Sequence, residues 1–110
     1  MEEHKENEEL LTFFKALSDA NRLKLVGLLA RQPYTVEQLA AMLGLGASTV
    51  SHHLSKLSEA GLVTATAQSY YNYYRLETGQ VEQMARRLLS AEALPAVAAG
   101  VDAGAFDRKI

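Results

Sequence analysis

Apolar residues recur along this chain in short helical stripes, each opened and closed by residues that cap or turn. Leu10, Phe13, Phe14 and Leu17 fall at i, i+3, i+4 and i+7 with Leu11 beside them, which predicts a first helix with one apolar face. Ser18 stands where it can cap a second helix. There Leu25, Leu28 and Leu29 repeat at helical spacing, and Val26 and Ala30 widen the face, as suits a helix buried on several sides. Gln32-Pro33 ends it, because proline pushes the residue before it out of helical geometry. Thr35 followed by Gln38 reads as a capping box. Behind it Val36, Leu39, Ala40 and Leu43 trace a third helix that Gly44 closes. After the turn Leu45-Gly46, a fourth helix is expected from about Ala47 to Ala60, stopped by Gly61.

From Leu62 the pattern suits strands. Thr64, Thr66, Tyr71, Tyr73 and Tyr74 favour extended backbone, and Gln68-Ser69 and Asn72 supply turn chemistry. This predicts a two-stranded hairpin over 62–76 with its tip between Ser69 and Asn72. A last helix from about Gly79 to Ser90 carries Val81, Met84, Ala85, Leu88 and Leu89 at helical spacing. The Ala/Gly-rich segment from Ala91 to Ala105, with Pro95 inside it, reads as a frayed helix end and a linker. The order helix, helix, helix-turn-helix, hairpin, helix gives a mainly α fold with a small two-stranded β-hairpin. That is a winged helix-turn-helix flanked by N- and C-terminal helices. The expected organisation is an acidic tail over 1–9, a winged-helix domain over 10–92 and a linker over 93–110.

The fourth helix is the informative element. At 100° per residue, Ala47, Val50, Leu54 and Leu57 gather on one side and should pack inward. The opposite side carries Ser48, His52 and Ser55, flanked by Thr49, Ser51 and Lys56. A helix facing only solvent would more often hold Glu, Lys or Arg there, for their better helix propensity. Short hydroxyls near a helix N-terminus donate to phosphates or reach base edges, and the terminus adds a partial positive charge. This face predicts a DNA groove as its partner. Ser48 and Thr49 alone fit equally well as caps, since Gly46 is a poorer cap than serine. His52 sits mid-face and is assigned a base or phosphate contact. His53 lies about 70° from the centre of the apolar side, so a place at the core edge with one ring nitrogen bonded is expected.

The run Asn21-Arg22-Leu23 and the stretch from Thr35 to Val63 carry a family resemblance, strongest in Ser48-Thr49-Val50-Ser51-His52-His53-Leu54 and from Leu57 to Val63. Over about residues 10 to 90 the chain resembles the ArsR family of winged-helix repressors. The resemblance implies a homodimer built from the first and last helices, binding an inverted repeat in double-stranded DNA and repressing transcription. It places Ser48, Thr49, Ser51 and His52 in the major groove. In this family the wing tip often carries Arg or Lys. Here Gln68, Ser69, Tyr70, Tyr71 and Asn72 form the tip, and the next cation is Arg75. Gln68, Tyr70, Tyr71 and Arg75 are the candidate backbone contacts of the wing, with Tyr70 and Tyr71 fitting equally well as plain strand residues. Arg22, Lys24 and Arg31 could support such contacts from the second helix, Arg22 fitting also as a partner of Asp19 or Glu59. Leu10, Leu11, Phe13, Phe14, Leu17, Val81, Met84, Leu88 and Leu89 are the candidate dimer surface, since these stripes exceed what so small a domain needs inside, the alternative being that they close an intramolecular core.

The 110 residues suffice for one domain. The net charge of −2 is low for a DNA binder, but residues 1–9 alone hold five glutamates against Lys5, leaving the body weakly basic. Cysteine is absent, which excludes disulfides and thiolate sites. The resemblance points to metal sites on the third helix, through cysteines, or on the last helix, through an Asp/His/Glu set. The third helix has no cysteine, and the last region offers Glu77, Glu82 and Glu92 without histidine, so no metal or other cofactor is expected. A small organic effector, an appended domain or control by expression level alone remain as inputs. The pattern restarting over Asp102–Ile110 suggests the second, with the chain as the N-terminal part of a longer protein. No membrane span or signal segment is visible, and a cytoplasmic protein is expected. An enzyme is disfavoured, with no phosphate loop and no acid–base pair. The competing reading is a winged helix that docks a protein partner, which a weakly basic body and tyrosine-rich wing would suit.

Overall fold

The computed structural model describes residues 2–102 and residue 104. The elements are α1 (Glu2–Leu17), α2 (Ala20–Leu29), α3 (Val36–Leu43), α4 (Ala47–Glu59), β1 (Val63–Gln68), β2 (Tyr71–Leu76), α5 (Thr78–Leu89) and α6 (Ala93–Ala96). The renewed pattern after Asp102 lies mostly outside the described residues.

The acidic segment is not a separate tail: α1 runs through it from Glu2. Glutamate is a good helix former, and its charge in the N-terminal half of a helix complements the macrodipole. Two contacts tie this half to the C-terminal region, Asn7 Nδ2 donating to the Val97 carbonyl at 3.1 Å and Glu9 lying 3.8 Å from Arg87. Residues 93–96, expected as linker, form the short turn of α6. The cap of α2 is Asp19 rather than Ser18. Its Oδ2 accepts from the Asn21 and Arg22 backbone N–H groups at 2.9 and 3.0 Å. The helix stops at Leu29, earlier than Pro33 required, and Tyr34 then pairs with Tyr74 through two backbone bonds of 3.1 and 2.8 Å.

The capping box of α3 is present in both directions. Gln38 N–H donates to Thr35 Oγ1 at 3.1 Å, and Thr35 N–H donates to Gln38 Oε1 at 2.9 Å. Gly44 closes α3 at φ +67°, a left-handed position that costs glycine nothing. The chain is thereby turned into α4 within two residues. Val50, Leu54 and Leu57 of α4 are fully buried with Leu25, Leu39, Leu62 and Val63, so α2, α3, α4 and the start of the hairpin share one core. Ala47, expected on that side, is exposed.

Strands β1 and β2 pair antiparallel from Val63↔Leu76 to Gln68↔Tyr71, leaving Ser69-Tyr70 as a two-residue turn with Ser69 at φ +59°. The turn is tighter than the four-residue tip expected. Only Val63 of β1 is buried. On β2, Tyr74 and Leu76 pack against the core, as their alternation implied.

The stripes assigned to a dimer surface divide. Leu10, Phe13 and Met84 are buried within the protomer, so they belong to its own core. Leu17, Val81 and Leu88 are half-buried, and Leu11, Phe14 and Leu89 stand exposed at 56%, 44% and 86%. The radius of gyration is 17.9 Å, against about 13 Å for a compact chain of this length.

Candidate nucleic-acid interface

Two features of α4 present its outer side. The buried Val50, Leu54 and Leu57 fix which side faces the core, so at 100° per residue Ser48, His52 and Ser55 point about 140–200° away from it. The N-cap is Gly46, which has no side chain to satisfy the first N–H groups. Ser48 and Thr49 are therefore not the caps. Among the described residues, no hydrogen bond engages the hydroxyls of Ser48, Thr49, Ser51 or Ser55, and all four residues are exposed. The result is a helix end with orphan donors and a row of free hydroxyls. Such an end attracts phosphate oxygens, and short side chains let the backbone come close to base edges.

His52 is exposed in the middle of this row. His53 turns inward with 12% of its side chain exposed, and its Nδ1 lies 3.3 Å from Arg22 Nη1 and 3.9 Å from Asp19 Oδ2. Arg22 is thus neither a partner of Glu59 nor free for a phosphate. Its Nε donates to the Ala16 carbonyl at 2.6 Å and its Nη2 to that of Lys15 at 3.2 Å. The Arg22 backbone N–H is the main influence holding the Asp19 carboxyl below its ordinary range, with the charges of His53 and Arg22 and the Asn21 N–H adding to it and partial burial opposing. Lys56 is half exposed and lies 3.8 Å from Glu59, one helical turn on. An exposed pair of this kind contributes about 0–1 kcal/mol, so a phosphate can replace the carboxylate at little cost.

The wing supplies a second surface. Tyr70 is 99% exposed at its tip, and Gln68, Tyr71 and Arg75 are exposed along its strands. Gln68 and Arg75 also line an open cleft of about 470 Å³ with Thr66 and Tyr73 of the hairpin, Gln32 and Pro33 from the segment between α2 and α3, and Gln38 of α3. Thr66, Tyr73 and Gln32 were not foreseen as neighbours of the wing contacts. Strand alternation could have found Thr66 and Tyr73, which sit two residues from Gln68 and Arg75. Gln32 arrives through the bridge at Tyr34, which no local pattern announces. Lys24 and Arg31 lie elsewhere, on a depression with Gly27, Leu28, Met42 and Leu43.

Residues 19–65 match the family model described as bacterial regulatory protein, arsR family. These residues run from the cap of α2 to the start of the wing and contain the whole of α4. The transcriptional regulator KmtR of Mycobacterium tuberculosis is 38% identical over 71 residues, 64% of this chain and 55% of that protein. The chain belongs to the ArsR family. The matched region thus spans little more than half the length of KmtR. An ArsR-like transcriptional regulator from Rhodococcus sp. RHA1 has the same fold, with a TM-score of 0.72 at 26% identity over 93% of this chain and 86% of that one. The homodimeric winged helix-turn-helix DNA-binding domain of a possible ArsR-family regulator from Mycobacterium bovis gives 0.65 at 29% identity, covering 74% and 77%.

The wing departs from the pattern that the family resemblance implies. The wing tip is aromatic and amide-bearing where Arg or Lys is usual. No group of three or more His, Cys, Asp or Glu that could hold a metal ion occurs among the described residues. No helix among them is long and apolar enough to cross a membrane.

Proposed function

We propose that this chain is a homodimeric, DNA-binding transcriptional repressor that acts in the cytoplasm and performs no catalysis. In this reading α4 enters the major groove with Ser48, Thr49, Ser51 and His52 toward the bases, while Ser55 and Lys56 take backbone phosphates. The wing lies on the flanking backbone through Gln68, Tyr70, Tyr71 and Arg75. The observation that carries the reading is the outer side of α4, where hydroxyls and an imidazole stand exposed, without hydrogen-bond partners among the described residues, on a helix anchored from behind by Val50, Leu54 and Leu57. The dimer is supported by the exposed Leu11 and Phe14 on α1 and Leu89 on α5, and by the homodimeric state of the Mycobacterium bovis domain. A two-fold axis between protomers sets two α4 helices for successive major grooves about 34–36 Å apart.

The test is a fluorescence-polarisation titration of the purified chain. One duplex comes from immediately upstream of its own coding sequence and the other is scrambled, each at two salt concentrations. Preference for the first duplex, two protomers per duplex and loss of affinity with salt are expected. Equal weak binding to both duplexes would refute sequence-specific repression and turn attention to a protein partner for the wing.

A further inference from the structure

Arg22 and His53 lie outside the exposed row of α4, yet they join three helices. Through Nε and Nη2 the guanidinium takes the Ala16 and Lys15 carbonyls, so it closes the C-terminal end of α1. Through Nη1 it reaches His53 Nδ1 on α4. Arginine only donates, so the contact is a hydrogen bond when Nδ1 accepts, with the ring neutral and its proton on Nε2. Asp19, the cap of α2, stands beside the same nitrogen. The imidazole thereby has a fixed orientation against α1 and α2. His53 adjoins His52, the centre of the exposed row, so whatever sets the azimuth of one sets that of the other. On its other side α1 presents Leu11 and Phe14 to solvent.

We propose that Arg22 and His53 are positioning residues for DNA recognition: their bond locks the rotation of α4 about its own axis relative to the dimer helix α1. This rests on the dimeric DNA-binding reading above. The geometry makes the lock consequential. Side-chain tips lie about 5–6 Å from a helix axis, so a rotation of about 20° moves them by roughly 2 Å. Hydrogen bonds to base edges tolerate only a few tenths of an ångström. In a dimer the same error is repeated in both half-sites.

The test compares His53→Leu, which removes the acceptor, with His53→Asn, whose Oδ1 hangs from Cγ as Nδ1 does. Affinity for the upstream duplex is read by fluorescence polarisation, the dimer by sedimentation and the fold by thermal unfolding. His53→Leu should stay folded and dimeric while losing affinity on the order of ten-fold, and His53→Asn should recover to within about three-fold of wild type. Adding Arg22→Gln to His53→Leu should weaken binding little further than Arg22→Gln does alone. Wild-type affinity in His53→Leu, or equal losses in the Leu and Asn variants, would overturn the proposal. Nitrogen-15 NMR of the unmutated protein tests it without any substitution, since a His53 ring protonated at Nδ1, whether neutral or cationic, removes the bond and the proposal with it. Failure of the unmutated chain to bind the upstream duplex or any member of a random pool would instead refute the DNA reading itself.

Discussion

The cations at the proposed interface fix how steeply DNA binding must weaken with salt. Lys56 on α4 and Arg75 on β2 are the two that each protomer offers, giving four per dimer, because the wing tip from Gln68 to Asn72 has none. Each phosphate neutralised releases condensed counterions, and log K falls with log salt at about −0.9 per phosphate, so the slope should be about −3.6. Between 50 and 200 mM salt that is a loss of about 150-fold. Lys56→Gln removes one cation per protomer, and the slope should drop to about −1.8, with a loss of about 12-fold over the same range. Giving up the Lys56–Glu59 pair, 3.8 Å apart and exposed, changes affinity by at most about 1 kcal/mol per protomer and leaves the slope alone. The assay is the polarisation titration repeated at five or so salt concentrations. A slope near −7 would mean that Lys24 and Arg31 also meet phosphates, and an unchanged slope in Lys56→Gln would take Lys56 off the DNA. Either result refutes the charge count.

Three further outcomes are expected. Thr35→Ala removes a buried acceptor of the α3 capping box and should lower stability by about 1 kcal/mol, seen as a fall in Tm of roughly 4–8 °C with no change in the salt slope. Asp19 has its carboxyl held below the ordinary range in the folded chain. The stability it contributes is therefore present above the unfolded value near 3.9 and lost as pH falls through the lower folded value. Asp19→Asn still caps α2, so circular dichroism melts across pH 2–5 should show a flatter acid limb than wild type. Phe14→Glu places a charge on an exposed apolar position of α1. Sedimentation should show a monomer with a near-native Tm, and a persistent dimer would move the interface away from α1.

Elements specified by neighbours in sequence were readable from it. The Thr35–Gln38 box, the left-handed Gly44 and the inward Val50, Leu54 and Leu57 each follow from local pattern, and each is present. The inward turn of His53 followed from helical angle alone. Competition between adequate residues was harder to resolve. Ser18 and Asp19 are both good caps, and the choice fell to the one whose carboxylate reaches two N–H groups at once. Periodicity predicts apolar faces on the first and last helices but not which members a single protomer buries, so it does not separate Leu10, Phe13 and Met84 from Leu11, Phe14 and Leu89. Contacts across long separations left no local trace. The Tyr34–Tyr74 bridge and the path of Arg22 to α1 and α4 belong to this class.

The wing has a consequence for how such a protein can change. Its strands are held by their own ladder, and past Val63 every residue of β1 is exposed. Substitution on the outer side of the hairpin therefore falls mostly within the ±0.5 kcal/mol typical of surface positions, whereas α4 carries the proposed base contacts and the buried Val50, Leu54 and Leu57 on opposite sides of one helix. In the proposed complex, affinity for the flanking backbone can therefore drift at little cost through Thr66, Gln68, Tyr70 and Tyr71, whereas a change of base preference has to pass through α4. A library randomised at those wing positions should yield mostly folded variants that differ in DNA affinity and salt dependence while keeping one sequence preference.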